Sequence, residues 1–124
     1  MKNNLPNLAL ALLRIGTSLL LLTHGIPKIE KLFADTVSFS DPLGVGATVS
    51  LILVLLAEVV APVFIIIGYR TKVATLFPII MMVVALLLVH FNDPIAKKEK
   101  AILFLIGFLV IFLAGPGKYS IDRR

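Results

Sequence analysis

Four apolar stretches, each close to the length a lipid bilayer demands, constrain this chain more than any other feature. A hydrocarbon core of ~30 Å takes about 20 helical residues at ~1.5 Å rise each. The stretches at residues 8–26, 44–67, 73–90 and 95–114 meet that need. Inside lipid every backbone N–H and C=O must be satisfied within its own segment, so each stretch is expected to be a helix. The connection at residues 68–72 is short enough to make its two flanking spans antiparallel neighbours. The expected fold is therefore all-α: an integral membrane four-helix bundle with short loops, in one domain over residues 1–124. A hydrophobic fraction of 59% and a mean hydropathy of +1.04 exceed what a water-soluble domain needs.

Local signals refine the bundle. Residues 28–33 set Ile29, Leu32 and Phe33 at helical spacing against Lys28, Glu30 and Lys31, which suits a short interfacial helix after the first span. Ser40-Asp41-Pro42 and Asn92-Asp93-Pro94 each offer an Asp as N-cap and a Pro at the first helical position. Gly115-Pro116-Gly117 stops the last span. Gly16, Ala57, Ala61 and Gly107 allow helices to approach closely. Phe104, Phe108 and Phe112 recur every four residues and read as core or lipid contact. The first apolar run is too long for a secretory leader and reads as a retained span.

The net charge of +5 comes from basic residues scattered around the apolar runs, not from a stripe of the kind that binds nucleic acid. Lys2, Arg70, Lys72, Lys118, Arg123 and Arg124 lie on the side of both termini, and Lys28, Lys31, Lys97, Lys98 and Lys100 on the other. Basic residues favour the cytoplasmic side, so six against five sets both termini in the cytoplasm. No cysteine is present, which excludes thiolate ligands and disulfide exchange by this chain.

Ionisable residues within a span cost about 2.5–3.5 kcal/mol each on insertion scales and call for a reason. Arg14 stands ~9 Å below the terminus face, and Glu58, entering from the opposite face, reaches a similar depth. Matched depth on antiparallel helices predicts a buried Arg14–Glu58 pair. Such a pair either orients two helices or forms a site in which Arg14 docks an anion or quinone carbonyl and Glu58 accepts a proton. Pro62 deprives the Glu58 carbonyl of its helical partner and predicts a kink. Towards the other face, His24 and His90 end parallel spans, near Lys28 and Asp93. They are set to line a cleft, to hydrogen-bond a quinone or to sit at the interface. A metal site is the least favoured use, and none is assigned. Arg14, His24 and Lys28 are expected to form one polar stripe along the first span.

The stretch from Arg14 to His24-Gly25-Ile26-Pro27-Lys28-Ile29, intramembrane Glu58, the turn Gly68-Tyr69-Arg70-Thr71-Lys72 and the closing Gly115-Pro116-Gly117-Lys118-Tyr119-Ser120-Ile121-Asp122 together resemble the DoxX family. That resemblance implies a four-helix protein of the bacterial inner membrane. Its superfamily includes a subunit of an archaeal thiosulfate:quinone oxidoreductase and, more distantly, eukaryotic cargo receptors. By motif match it carries Arg14, Lys28, Glu58 and Arg70 as site positions, joined by His24 and His90 from the reading of the residues. The function expected is an accessory role in a redox- or stress-linked membrane complex, with a quinone or other amphipathic ligand, beside a soluble redox partner or as a homo-oligomer. At most the chain is a subunit of a membrane oxidoreductase. The alternatives are a non-enzymatic assembly or trafficking factor, and a proton or ion conduit through Glu58, to which residues 76–89 offer no polar path.

Overall fold

The computed structural model describes residues 4–34, 36–39 and 41–122; Ser40 of the first capping signal lies outside them. Helix α1 runs over Asn4–Gly25 and continues through a 3-10 turn, Ile26–Lys28, into the one-turn helix α2, Ile29–Leu32. The next rod comprises α3 (Ala47–Leu55), a π turn (Leu56–Val60) and α4 (Ala61–Ile67). Helix α5 covers Thr71–Val84 and ends in a second π turn, Ala85–Val89, and α6 covers Ile95–Ala114. Among the described residues all regular structure is helical.

The helices close a ring in chain order: α1 packs on α4, α4 on α5, α5 on α6, and α6 back on α1. The core between them holds Leu21, Ala61, Ile65, Ala74, Met82, Phe104, Phe108 and Ile111. Outward, Leu12, Leu103 and Leu113 are 75%, 66% and 75% exposed, alongside many other large apolar side chains. A surface so evenly apolar is untenable in water and suits lipid. Three helical segments are long and apolar enough to cross a membrane: Asn4–Leu32, Ala47–Ile67 and Thr71–Val89. The fourth, α6, completes the bundle but opens with Lys97, Lys98, Glu99 and Lys100, leaving the apolar part to residues 101–114.

Several local expectations need correcting. Asp41 does not cap a helix beginning at residue 42. Its carboxylate accepts from the N–H groups of Val45 and Gly46 and from the Ser50 hydroxyl, and the helix starts at Ala47. These bonds hold the Asp41 carboxyl below the ordinary carboxylate range, the Gly46 N–H contributing most. Pro94, in extended geometry, takes the N-cap position of α6, and Asp93 turns to His90 instead. Gly16 meets nothing, whereas Gly25 is where α1 crosses the second rod most closely. A Cβ there would come within 2.6 Å of the Glu58 carbonyl oxygen. The distortion expected near Pro62 is the π turn itself: with no N–H at Pro62, the helix widens and the Ala61 N–H bonds back to Leu56.

Candidate functional site

Buried charge collects at two places, at opposite ends of the bundle. At the terminus end, Arg14 is 1% exposed. Its Nη1 donates to the carbonyls of Ile65, at 2.8 Å, and Ile66, and its Nη2 donates to the carbonyl of Tyr119. Ile65 and Ile66 belong to the last turn of α4, where helical carbonyls lack internal partners and the macrodipole is negative, so a guanidinium is well placed. Arg14 Nε and the Ser18 hydroxyl, four residues on, find no partner among the described residues.

The tail completes this end. The Ile121 and Asp122 N–H groups bond to the Ile67 and Gly68 carbonyls, and the Lys118 N–H to the Asn7 side chain. The Asp122 carboxylate accepts from the Arg70 and Thr71 N–H groups and from the Thr71 hydroxyl, capping the N-terminus of α5. Arg70 is exposed, with φ 50°, and its Nε donates to the Tyr69 hydroxyl at 3.5 Å, which raises its pKa. Three of the four motifs behind the resemblance thus meet here, in a staple held largely by backbone groups.

The predicted Arg14–Glu58 pair does not form. Glu58 pairs with Lys28, Nζ to Oε1 at 2.6 Å, with side-chain exposures of 8% for Glu58 and 28% for Lys28. Depth counted from the apolar edges misled because α1 is not flush with α4. Gly25 sits against Glu58, while Arg14, eleven residues or ~16 Å back along α1, is level with the end of α4. The tail fills the recess beside the overhanging start of α1. The polar stripe fails for the same reason: Arg14 faces the staple, whereas His24 and Lys28 face a cavity.

That cavity, of about 870 Å³, occupies the end of the bundle away from the termini. Its polar lining comprises His24, Lys28, Ser50, Glu58, His90 and Lys100, together with Thr23. The apolar wall comes from Leu53, Val54 and Ala57 on the second rod, Phe77, Ile80 and Met81 on α5, and Phe104 on α6, with Phe39, Pro42 and Leu43 of the loop at its margin. Both π turns border it, through Ala57 and Glu58 on one side and Ala85 and Val89 on the other. His24 packs edge-on against Phe104, with centroids 5.8 Å apart. His90 Nδ1 lies 2.8 Å from an Asp93 carboxylate oxygen. The two histidines belong to diagonal helices and both line the cavity. No group of three His, Cys, Asp or Glu suited to a metal occurs among the described residues.

Sequence reasoning missed Lys100, which it had counted only as a topology charge, and Ser50. For Lys100 the signal was in the spacing, since it precedes Phe104 by one helical turn; Ser50 carried no such signal.

Fold and site define a polytopic helical membrane protein with a large, mostly apolar cavity whose lining includes a part-buried ion pair. The DoxX family pattern matches residues 9–91, and the chain belongs to that family. The inner membrane protein YqjF of Escherichia coli (strain K12) is 30% identical to it, over 96% of this chain and 93% of its own length. No solved structure matches the chain.

Proposed function

We propose that this chain is an inner-membrane accessory protein that holds an amphipathic ligand, a quinone being one member of that class, in the cavity beside Lys28 and Glu58, and that it serves a redox- or stress-linked membrane complex. The observation that carries this reading is the cavity itself: about 870 Å³, apolar around most of its wall, with a few polar side chains in its lining. An ion pair already satisfied at 2.6 Å beside such a space can orient a head group or accept a proton from it without leaving a bare charge in lipid. The name of the Escherichia coli relative supports the inner membrane. All four helices cross in this reading, and the six-to-five distribution of basic residues leaves both termini in the cytoplasm. Arg14 and Arg70 hold the scaffold and take no part in binding.

Purification in mild detergent followed by mass spectrometry tests the reading. The expected result is a near-stoichiometric amphiphile retained by the wild type and lost from Glu58→Leu. A single stoichiometric protein partner with no bound amphiphile would overturn it in favour of an assembly or trafficking factor, a role that suits a chain without cysteine. For topology, Lys118→Cys, the only thiol in the chain, should resist a membrane-impermeant maleimide in intact cells; labelling there reverses the orientation.

A further inference from the structure

The cavity has a neighbour. A groove of about 460 Å³ lies between α1 and α6, lined by Thr17, Leu20, Glu99 and Leu103, and it shares Thr23, His24, Lys100 and Phe104 with the inner cavity. Leu20 and Leu103 are 61% and 66% exposed on the lipid-facing surface, so the groove opens towards the bilayer. The edge-on His24–Phe104 pair, with Thr23 and Lys100, lines groove and cavity alike.

The charges around the cavity are unevenly matched. Lys28 is paired with Glu58, and His90 with Asp93. Lys100, an exposed residue at the start of α6, lines both spaces and has no hydrogen bond or ion pair among the described residues; Glu99, also exposed, lines the groove but not the cavity and forms no salt bridge with it. A lysine at a span end carries an apolar stem that can lie along the groove while its ammonium seeks an anion.

Resting on the reading that the cavity takes an amphiphile, we propose that its ligand is a single-chain amphiphile bearing one anionic oxygen head group, of the fatty-acid type. Its chain lies in the inner cavity, its head is held by Lys100, and it passes from the bilayer between α1 and α6 beside His24 and Phe104. One unpaired cation calls for one negative charge, and a cavity of this size holds one chain of drug-like volume.

The chain has no tryptophan, so Phe77→Trp in the cavity wall gives a clean reporter. The full-length protein in maltoside at pH 7.5 is titrated with 9,10-dibromostearic acid and with its methyl ester, which quench tryptophan on contact. The acid is expected to bind about tenfold more tightly than the ester, the effect of one charge-assisted hydrogen bond. Adding Lys100→Gln should bring the acid down to the ester and leave the ester unchanged, which also reports intact folding. Equal affinities for acid and ester, or a ratio that survives Lys100→Gln, overturns the proposal while the cavity reading stands. No saturable quenching by either overturns both. Displacement by oleate or by lysophosphatidylglycerol supports the oxyanion class, and the stronger competitor tells a free acid from a lipid-derived head. Decylubiquinone competing as well as oleate, with and without Lys100, overturns it in favour of a neutral head.

Discussion

The two ends of this bundle each set a cation against acceptors inside the helix ring, and they use it in opposite ways. Arg14 gives its charge to backbone: two carbonyls at the end of α4 and one in the tail. Lys28 gives its charge to a side chain, Glu58, beside an open cavity of about 870 Å³. A buried charge is therefore no sign of a ligand by itself. The two Nη groups of Arg14 are committed to fixed carbonyls, leaving Nε alone without a partner among the described residues, whereas an ion pair on a cavity wall can exchange one partner for another.

That contrast makes Arg14→Met the most damaging substitution to expect. It removes the donor from the Ile66 and Tyr119 carbonyls, the Ile65 carbonyl keeping the Gly68 N–H, at about 1–3 kcal/mol for each acceptor left unpaired, so a loss of about 3 kcal/mol or more should appear in denaturant unfolding in detergent micelles. Ligand retention by the surviving folded fraction should be normal. A variant that melts like the wild type but loses its ligand would invert the roles given to the two ends.

At the cavity end, Glu58→Leu or Lys28→Met alone should cost about 2–3 kcal/mol, at or below the low end for a broken buried pair, because Lys28 reaches solvent. The double variant should cost less than the sum, and a double-mutant cycle measures the difference. Simple additivity would show that the pair at 2.6 Å contributes no coupling.

Smaller effects sharpen the picture of the staple. Asp122→Asn weakens the carboxylate cap on α5 and should cost about 1 kcal/mol in the same unfolding assay, leaving ligand retention untouched. The smallest effect expected is a pH dependence through Asp41. Its folded pKa is depressed, chiefly by the Gly46 N–H and then by the Ser50 hydroxyl, so its contribution is complete above the ordinary carboxylate pKa and is lost as pH falls through the depressed value. Asp41→Asn should flatten that part of the acid unfolding curve, and an unchanged curve would remove Asp41 from the account.

The sequence by itself determined the solvent, the helix count and the helical class. Apolar run length against bilayer thickness is a one-dimensional comparison and needs no knowledge of packing. It also singled out Arg14, His24, Lys28, Glu58 and His90, which all lie within or at the ends of the bundle helices. Which of them meet was decided by tertiary structure. Antiparallel helices can slide along one another with little change in local pattern, and here a missing side chain, at Gly25, lets α1 seat against Glu58 and sets the register. The same slide leaves the start of α1 overhanging α4, opening the recess that the tail enters to take up Arg14. Register, rotation and the path of a terminal segment depend on contacts between residues far apart in the chain, so Glu58 found Lys28 and not Arg14 for a reason that no depth count could contain.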